Sequence, residues 1–123
     1  MTEGPGDDCI RAKLRKSAEY EQVFEHGRKV VARRLVVWVL PRPGAPFRAG
    51  LVASRKVGNA VARNRCKRRM RELVRAQLDR FAPGHDLVVI ARAGLRDCPW
   101  ADAVADFELA CQRAGILAPP PAG

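Results

Sequence analysis

The sequence predicts one α+β domain, a two-layer sandwich of helices beside a small mixed sheet, with the element order α-β-β-α-β-α. Apolar, β-branched runs of strand length alternate with helical patterns along the chain. The length of 123 residues fits a single domain, and 47% hydrophobic residues are enough to build its core. We expect residues 14–117 to form the folded domain. Residues 1–13, with Gly, Pro and acidic residues, and the Pro-rich residues 118–123 predict mobile tails.

Capping signals and periodicity indicate the first helix and the first strand. Ser17 can cap a helix over residues 18–26, and Gly27 favours its end. The apolar-aromatic face of this helix consists of Tyr20, Val23 and Phe24. Residues 30–40 (VVARRLVVWVL) then predict one strand, with both faces at least partly covered from Leu35 onward.

A second strand and a basic helix follow. Residues 47–54 alternate in polarity after the Pro-rich loop 41–46, and this short connection predicts an antiparallel hairpin with the first strand. A helix is predicted over residues 61–81, before the helix-ending Pro83. Its narrow apolar stripe, which we expect to pack on the sheet, comprises Ala62, Cys66, Met70, Leu73 and Val74.

The C-terminal part of the chain predicts a buried strand and a last helix. Residues 86–92 (DLVVIAR) are short and apolar, as in a buried strand. Pro99 suits the first turn of the last helix. The inner face of that helix is expected to contain Trp100, Val104, Phe107 and Cys111.

Positive charge is concentrated in one part of the chain. The formal net charge is +10, and residues 48–75 contain ten Lys or Arg residues against one Glu, which is +9 of that total. Such a block indicates a polyanionic partner, above all nucleic acid, because arginine forks match phosphate oxygens. The alternative is a solvated surface helix, which usually alternates the two signs. Like charges four residues apart, such as Lys67 and Arg71, would destabilise that helix in isolation.

The residue types that other functions need are missing or scattered. The four cysteines form no CxxC pair, so neither a disulfide framework nor a zinc site is predicted, and we expect free thiols in a reducing cytoplasm. The longest apolar runs are too short to span a bilayer and no secretory signal is visible, which predicts a cytoplasmic protein without a membrane partner. Because His26 and His85 lie in no catalytic motif, we predict no catalytic residues and no protein-bound metal.

Three aromatic residues could share one surface. Tyr20 and Phe24 belong to the first helix, and Trp38 belongs to the first strand. If that helix packs beside an exposed sheet face, the rings would line a groove on which unpaired bases can stack. The alternative, which residue type alone favours, is that all three are core residues.

The segment RKVGNAVARNRCKR at residues 55–68 closely resembles the signature of the bacterial ribonuclease P protein family, in which two basic residues precede V/I-G-N-A-V-x-R-N-R-x-K-R. Residues 14–27 are similar to the family's first helix and residues 85–92 to its last strand, so the resemblance covers about residues 11–95. It implies a fold like the second domain of the fifth protein of the small ribosomal subunit. It also implies a left-handed βαβ crossover, where the general rule gives a right-handed one.

The resemblance further implies a function. A family member binds a catalytic RNA, and together they remove 5′ leaders from precursor tRNA by hydrolysis, in which the RNA uses Mg²⁺ and performs the chemistry. No further protein partner is required. The residues that would contact the catalytic RNA are Arg55, Lys56, Arg63, Asn64, Arg65, Lys67, Arg68, Arg69 and Arg71. The cleft for the precursor-tRNA leader would contain Tyr20, Phe24, Trp38 and Ser54. The alternative is a structural RNA-binding protein, such as a ribosomal protein, which would explain the charge equally well but not a leader groove.

Overall fold

The computed structural model describes residues 17–117, so the predicted tails 1–13 and 118–123 lie outside the described residues. The helices are α1 (Ser17–His26), α2 (Ala60–Ala76) and α3 (Trp100–Arg113). The strands are β1 (Arg28–Val31), β2 (Leu35–Pro41), β3 (Arg48–Val52) and β4 (His85–Ala91). Short 3₁₀ turns lie at Arg55–Val57, Leu78–Arg80 and Ala93–Leu95. The α+β class is confirmed.

The four strands form one mixed sheet in the order β1-β2-β4-β3. Strand β1 pairs antiparallel with β2, and β2 pairs antiparallel with β4. Strand β3 pairs parallel with β4, so β3, α2 and β4 form a βαβ unit. The basic helix is therefore the crossover between the two parallel strands.

Two predictions about the strands are wrong. The run over residues 30–40 forms two strands rather than one, because the chain reverses between them, where the N–H of Ala32 donates to the carbonyl of Leu35 at 2.8 Å. The predicted hairpin between β2 and β3 is absent among residues 17–117, because β4 lies between these two strands. Strand β4 is the most buried strand, and Leu87, Val88 and Val89 are fully buried there. Because β4 is a central strand, apolar residues pack against both of its faces.

The main core lies between one face of the sheet and the helices α2 and α3. The predicted apolar stripe of α2 is confirmed, since Ala62, Cys66, Met70, Leu73 and Val74 are all buried. Every second residue of β2 and β4 joins this core, beginning with Leu35 and Leu87. The buried face of α3 consists of Ala103, Phe107, Ala110 and Cys111. This packing places the outer surface of α2 in solvent.

Two helix predictions need correction. Helix α2 ends at Ala76 rather than at residue 81, because the chain tightens into a 3₁₀ turn after Gln77, whose amide donates to Glu108 at 2.6 Å. Trp100 does not lie on the inner face of α3, since it is 42% exposed. It lies in the first turn of α3, where its ring contacts α2 rather than the sheet. None of the helices in the described part of the chain is long and apolar enough to cross a membrane.

Helix α1 covers part of the opposite face of the sheet. Val23 of α1 packs against Val88 of β4, and both are fully buried. Partly buried apolar side chains surround this pair, namely Tyr20, Trp38, Leu40, Val52 and Ile90. Helices α1 and α2 therefore lie on opposite faces of the sheet.

Candidate nucleic-acid interface

The basic segment begins with a turn that local hydrogen bonds hold in place. The Ser54 hydroxyl accepts a hydrogen bond from the N–H of Lys56 at 3.3 Å, which caps the 3₁₀ turn Arg55–Val57. Val57 is buried and anchors the turn in the core. Ser54, Arg55 and Lys56 are exposed, so this turn presents two cations to solvent.

Gly58 and Asn59 connect this turn to α2. Gly58 has a φ of 132°, which favours glycine, and a Cβ there would lie 2.8 Å from the Cβ of Ala62. Asn59 is the N-cap of α2, and its Oδ1 accepts a hydrogen bond from the N–H of Ala62 at 3.0 Å. The Gly-Asn pair in the signature therefore has a structural role, since it sets the direction in which the basic helix leaves the turn.

The cations of α2 divide into three groups by their contacts, and those of the first group donate to backbone carbonyls. Arg63 donates to the carbonyl of Gly58 at 3.3 Å. The Nε of Arg65 donates to the carbonyl of Arg96 at 3.0 Å, and Nη1 of Arg69 donates to the carbonyl of Leu95 at 2.9 Å. Arg65 and Arg69 thus hold the chain after β4 against α2, while their other N–H groups remain available to a ligand.

The second group faces solvent. Asn64, Lys67 and Arg68 are exposed on α2, and within residues 17–117 their side chains make no hydrogen bond or ion pair. The same holds for the side chains of Arg55 and Lys56 in the preceding turn. No acidic residue of the described chain neutralises these four cations, so the surface has a net positive field that attracts a polyanion.

Arg71 and Arg75 are less available than the sequence indicates. Arg71 is half-buried. Arg75 pairs with Glu72 on the same helix, with 3.2 Å between the Arg75 Nε and the Glu72 Oε2. This pairing is the largest cause of the lowered pKa of the Glu72 carboxyl. The exposed, unneutralised charge is therefore concentrated in the first half of α2 and the turn before it.

The aromatic residues of the predicted cleft lie together on the α1 face of the sheet. The ring centroids of Tyr20 and Phe24 are 6.5 Å apart, and those of Phe24 and Trp38 are 5.3 Å apart in an edge-to-face arrangement. Phe24 is 38% exposed, whereas Tyr20 and Trp38 are half-buried. The three rings are therefore neither fully buried nor dispersed, and they form one partly open wall.

Tyr20 packs closely on strand β3. An added Cβ at Gly50 would lie 2.6 Å from the Tyr20 hydroxyl oxygen and 2.7 Å from its Cε1, so the ring occupies the space above this glycine. Burial raises the pKa of the Tyr20 hydroxyl. Gly50 was not predicted as a site residue, and only the α1–β3 contact identifies it.

An apolar floor continues from the aromatic wall. Val52 and Ile90 are partly buried on the α1 face, beyond Val88 along β3 and β4. Lys29 of β1 lies opposite Trp38 in the β1–β2 pairing, and its Nζ is 5.7 Å from the centre of the indole ring. A cation beside an aromatic wall and an apolar floor suits unpaired nucleotides, which offer both a base and a phosphate. The sequence offers no signal for Lys29, because its position depends on the turn that separates β1 from β2.

The two surfaces lie on opposite faces of the sheet and approach each other at one edge. Helix α2 packs on the main-core face, and α1 packs on the other. Ser54 follows shortly after the last residue of β3, Val52, and precedes the basic turn. Ser54 thus lies between the apolar floor and the cationic surface.

The described residues contain no cluster of metal-ligating side chains. Residues 17–117 contain no group of three or more His, Cys, Asp or Glu side chains positioned to hold a metal ion. Cys66, Cys98 and Cys111 are free thiols, and burial raises the pKa of Cys66, which fits its predicted place in the core.

Comparison with known proteins identifies relatives of this chain. Residues 10–115 match the protein family described as Ribonuclease P. The ribonuclease P protein component of Symbiobacterium thermophilum is 42% identical over 106 residues, which cover 85% of this chain and 92% of the relative. The corresponding protein of Gluconacetobacter diazotrophicus is 43% identical over 107 residues, covering 85% of this chain and 91% of the relative.

A solved structure of the Staphylococcus aureus RNase P protein superposes with a TM-score of 0.77 at 28% identity, covering 86% of this chain and 97% of that one. The RNase P protein of Thermotoga maritima superposes with a TM-score of 0.73 at 27% identity, covering 83% of this chain and 97% of that one. The family match extends through the last helix, beyond the residues 11–95 on which the resemblance rests.

Proposed function

This chain belongs to the ribonuclease P protein family, and we propose that it binds the catalytic RNA of that enzyme and the 5′ leader of precursor tRNA at the same time. The main observation in support is the unneutralised cationic surface of Arg55, Lys56, Lys67 and Arg68 within the family signature. In this proposal the RNA subunit cleaves the leader, using Mg²⁺, to produce the mature 5′ end of the tRNA. The protein supplies binding and positioning, and it needs no further protein partner.

The basic surface is the binding site for the catalytic RNA. Each phosphate that a Lys or Arg side chain neutralises releases condensed counterions, so contacts of this kind supply affinity without reading the sequence. Arg68 and Lys67 have no other partner among residues 17–117, and Arg63, Arg65 and Arg69 contribute the N–H groups that their internal hydrogen bonds do not use. Protein cations beside the RNA also reduce phosphate repulsion, so less Mg²⁺ is needed to bring catalytic RNA and substrate together.

The aromatic wall is the binding site for the leader. Stacking on aromatic side chains stabilises an unpaired base by about 1–3 kcal/mol and tolerates any base, which a site for leaders of many different sequences requires. Phe24 is the most accessible of the three rings, and Trp38 has Lys29 beside it for a neighbouring phosphate. Because the two surfaces lie on opposite faces of the sheet, the protein can hold both RNAs without competition between them.

Reconstitution tests the proposal. The full chain is combined with a cognate catalytic RNA, and cleavage of precursor tRNA is measured against Mg²⁺ concentration and against leader length. We expect the protein to lower the Mg²⁺ concentration at half-maximal rate and to tighten binding as the leader is extended from zero to several nucleotides. Mature tRNA is the control, since it has no leader and should gain nothing from the aromatic wall.

Three other outcomes are informative. If neither the rate, the affinity nor the Mg²⁺ requirement changes, the proposal is wrong. Tight RNA binding that does not depend on leader length would instead indicate a structural RNA-binding protein of the ribosomal kind. Cleavage of precursor tRNA by the protein alone would indicate a nuclease with its own active site.

A further inference from the structure

A pocket of about 320 Å³ lies between α2 and the first turn of α3, away from the aromatic wall. It is lined by Arg65, Arg68, Arg69, Glu72 and Trp100. Trp100 is 42% exposed, although a tryptophan is among the most apolar side chains a chain can bury. An exposed indole among three arginine side chains indicates a ligand that is both aromatic and anionic.

The indole of Trp100 is held in position by its neighbours. The guanidinium carbon of Arg69 lies 5.7 Å from the centre of the ring, a cation–π contact. Arg69 is itself fixed, because its Nη1 donates to the carbonyl of Leu95 at 2.9 Å and to the Cys98 Sγ at 3.5 Å. The ring is therefore preorganised, with one part in contact with Arg69 and the remainder accessible to a ligand.

The charge in the pocket favours an anion. Arg65 donates only its Nε internally, at 3.0 Å to the carbonyl of Arg96, and Asp97 lies 4.0 Å from the same Nε. Arg68 is exposed and makes no hydrogen bond or ion pair within residues 17–117. The one carboxylate in the lining, Glu72, accepts hydrogen bonds from Arg75 and is neutralised by that residue. Two guanidinium groups thus have donors to spare at the mouth of the pocket.

We propose that this pocket binds one unpaired nucleotide of the catalytic RNA, with the base stacked on Trp100 and its phosphate on Arg68 and Arg65. The inference rests on the proposed function, and it extends the RNA-binding surface from α2 onto α3. The volume is at the lower end of the range for small-molecule sites, roughly 300–1,000 Å³, which suits one nucleotide and not a duplex. A paired base hides its face in the helical stack, so an unpaired nucleotide is required.

The two tryptophans of the chain allow a direct test. In the Trp38→Phe variant, Trp100 is the only source of tryptophan fluorescence, and catalytic RNA is added without any tRNA. We expect the emission to be quenched in a saturable way, at the same RNA concentrations at which an independent filter-binding assay shows complex formation. The Trp100→Phe variant is the matched control: it reports from Trp38 on the opposite face and should change little under the same conditions.

Affinity measurements on two substitutions of Trp100 complete the test. Trp100→Leu keeps an apolar side chain but removes the stacking surface, and we expect it to weaken binding of the catalytic RNA roughly tenfold, within the 5- to 150-fold range that corresponds to one stacked base. Trp100→Phe keeps a ring and should bind within about threefold of the parent chain. A purely structural role for the ring would weaken binding only in proportion to a loss of thermal stability, which is measured in parallel.

Three outcomes contradict the inference. Unchanged Trp100 emission while filter binding shows the complex would overturn the nucleotide pocket and leave the proposed function intact. Equal quenching by a fully paired RNA duplex would overturn it as well. If filter binding detects no complex with the catalytic RNA, the proposed function and this inference are both wrong. Should the Leu variant fail to fold, the fluorescence of the Trp38→Phe variant still decides.

Discussion

Arg48 and Asp86 are opposite each other in the parallel pairing of β3 with β4, and two hydrogen bonds of 2.9 and 2.7 Å join the guanidinium to the carboxylate. The remaining nitrogen of Arg48 donates to Glu19 of α1 at 2.8 Å. The Asp86 side chain is only 1% exposed. This arrangement raises the pKa of Arg48, chiefly through the hydrogen bonds to Asp86. One of the ten cations in the basic segment therefore joins α1 to the sheet and is not available to RNA.

Substitution of Arg48 should destabilise the fold. Among residues 17–117, Arg48→Met leaves the buried Asp86 carboxylate with one charged partner, Arg42, at 3.6 Å. We expect a loss of about 3–5 kcal/mol in the free energy of unfolding, because an uncompensated buried charge is costly. Urea denaturation measures the loss. Arg113→Met, at an exposed position at the end of α3, is the control and should change stability by less than about 0.5 kcal/mol. Equal stability of the two variants would contradict a structural role for Arg48.

Arg68 should contribute a phosphate contact with the catalytic RNA. Arg68→Ala removes an exposed guanidinium that has no partner among residues 17–117, so folding should be unaffected. We expect weaker binding and a plot of log affinity against log salt whose slope is reduced by about one unit. Arg113→Ala removes the same charge from the end of α3 and should leave the slope unchanged. The phosphate role is wrong if Arg68→Ala binds more weakly but keeps the parent slope.

Phe24 should contribute to leader binding. Since the ring is 38% exposed, Phe24→Ala costs little core packing but removes a stacking surface. We expect binding of precursor tRNA with a leader to weaken by about 1–3 kcal/mol, while binding of mature tRNA stays the same. Tyr20→Ala should act in the same direction, with an added loss of stability because Tyr20 packs on β3. Equal losses of affinity for precursor and mature tRNA would show that Phe24 does not bind the leader.

Gly50 should control the position of the aromatic wall. In Gly50→Ala the new methyl group would lie within 2.8 Å of the Tyr20 ring, so the ring and α1 must move. We expect a stability loss of about 1–3 kcal/mol from overpacking, and weaker binding of leader-bearing substrate. Gly94→Ala is the matched control, because its Cβ would meet only the Arg34 Cγ at an ordinary 3.5 Å. A Gly50→Ala variant as stable as Gly94→Ala would show that Tyr20 moves away freely.

The buried thiol of Cys111 should make the fold sensitive to high pH. Burial raises its pKa from 9.0 to about 12. An acid whose pKa is raised by folding stabilises the folded state fully below the ordinary pKa, and the contribution is lost as pH rises from about 9 toward 12. At pH 10 the loss is about 1.4 kcal/mol, as one pH unit corresponds to 1.36 kcal/mol. Urea denaturation at pH 7 and pH 10 measures it. Cys111→Ala should show a smaller decrease, and an equal decrease would exclude this thiol as the cause.

Local signals are enough to predict most of the secondary structure. The aromatic face of α1 and the apolar stripe of α2 depend on spacings of a few residues, so their positions follow from the sequence. The turn between β1 and β2 cannot be predicted from the sequence, because Ala32, Arg33 and Arg34 include no turn-forming Gly, Pro or Asn. Arg92, sixty residues further along the chain, donates to the carbonyl of Ala32 at 2.9 Å and stabilises that turn.

The amino-acid sequence alone is enough to predict the concentration of positive charge, the inward stripe of the basic helix and the family to which the chain belongs. Contacts between distant parts of the chain establish which cationic groups are free, since the Arg48 guanidinium is bonded to Asp86 and one nitrogen of Arg69 to the carbonyl of Leu95. The tertiary structure also decided that three aromatic rings share one wall and that Trp100 lines a pocket rather than the core. These cases have a common cause. Periodicity sets which face of its own element a side chain occupies, whereas strand order and helix docking set what that face meets.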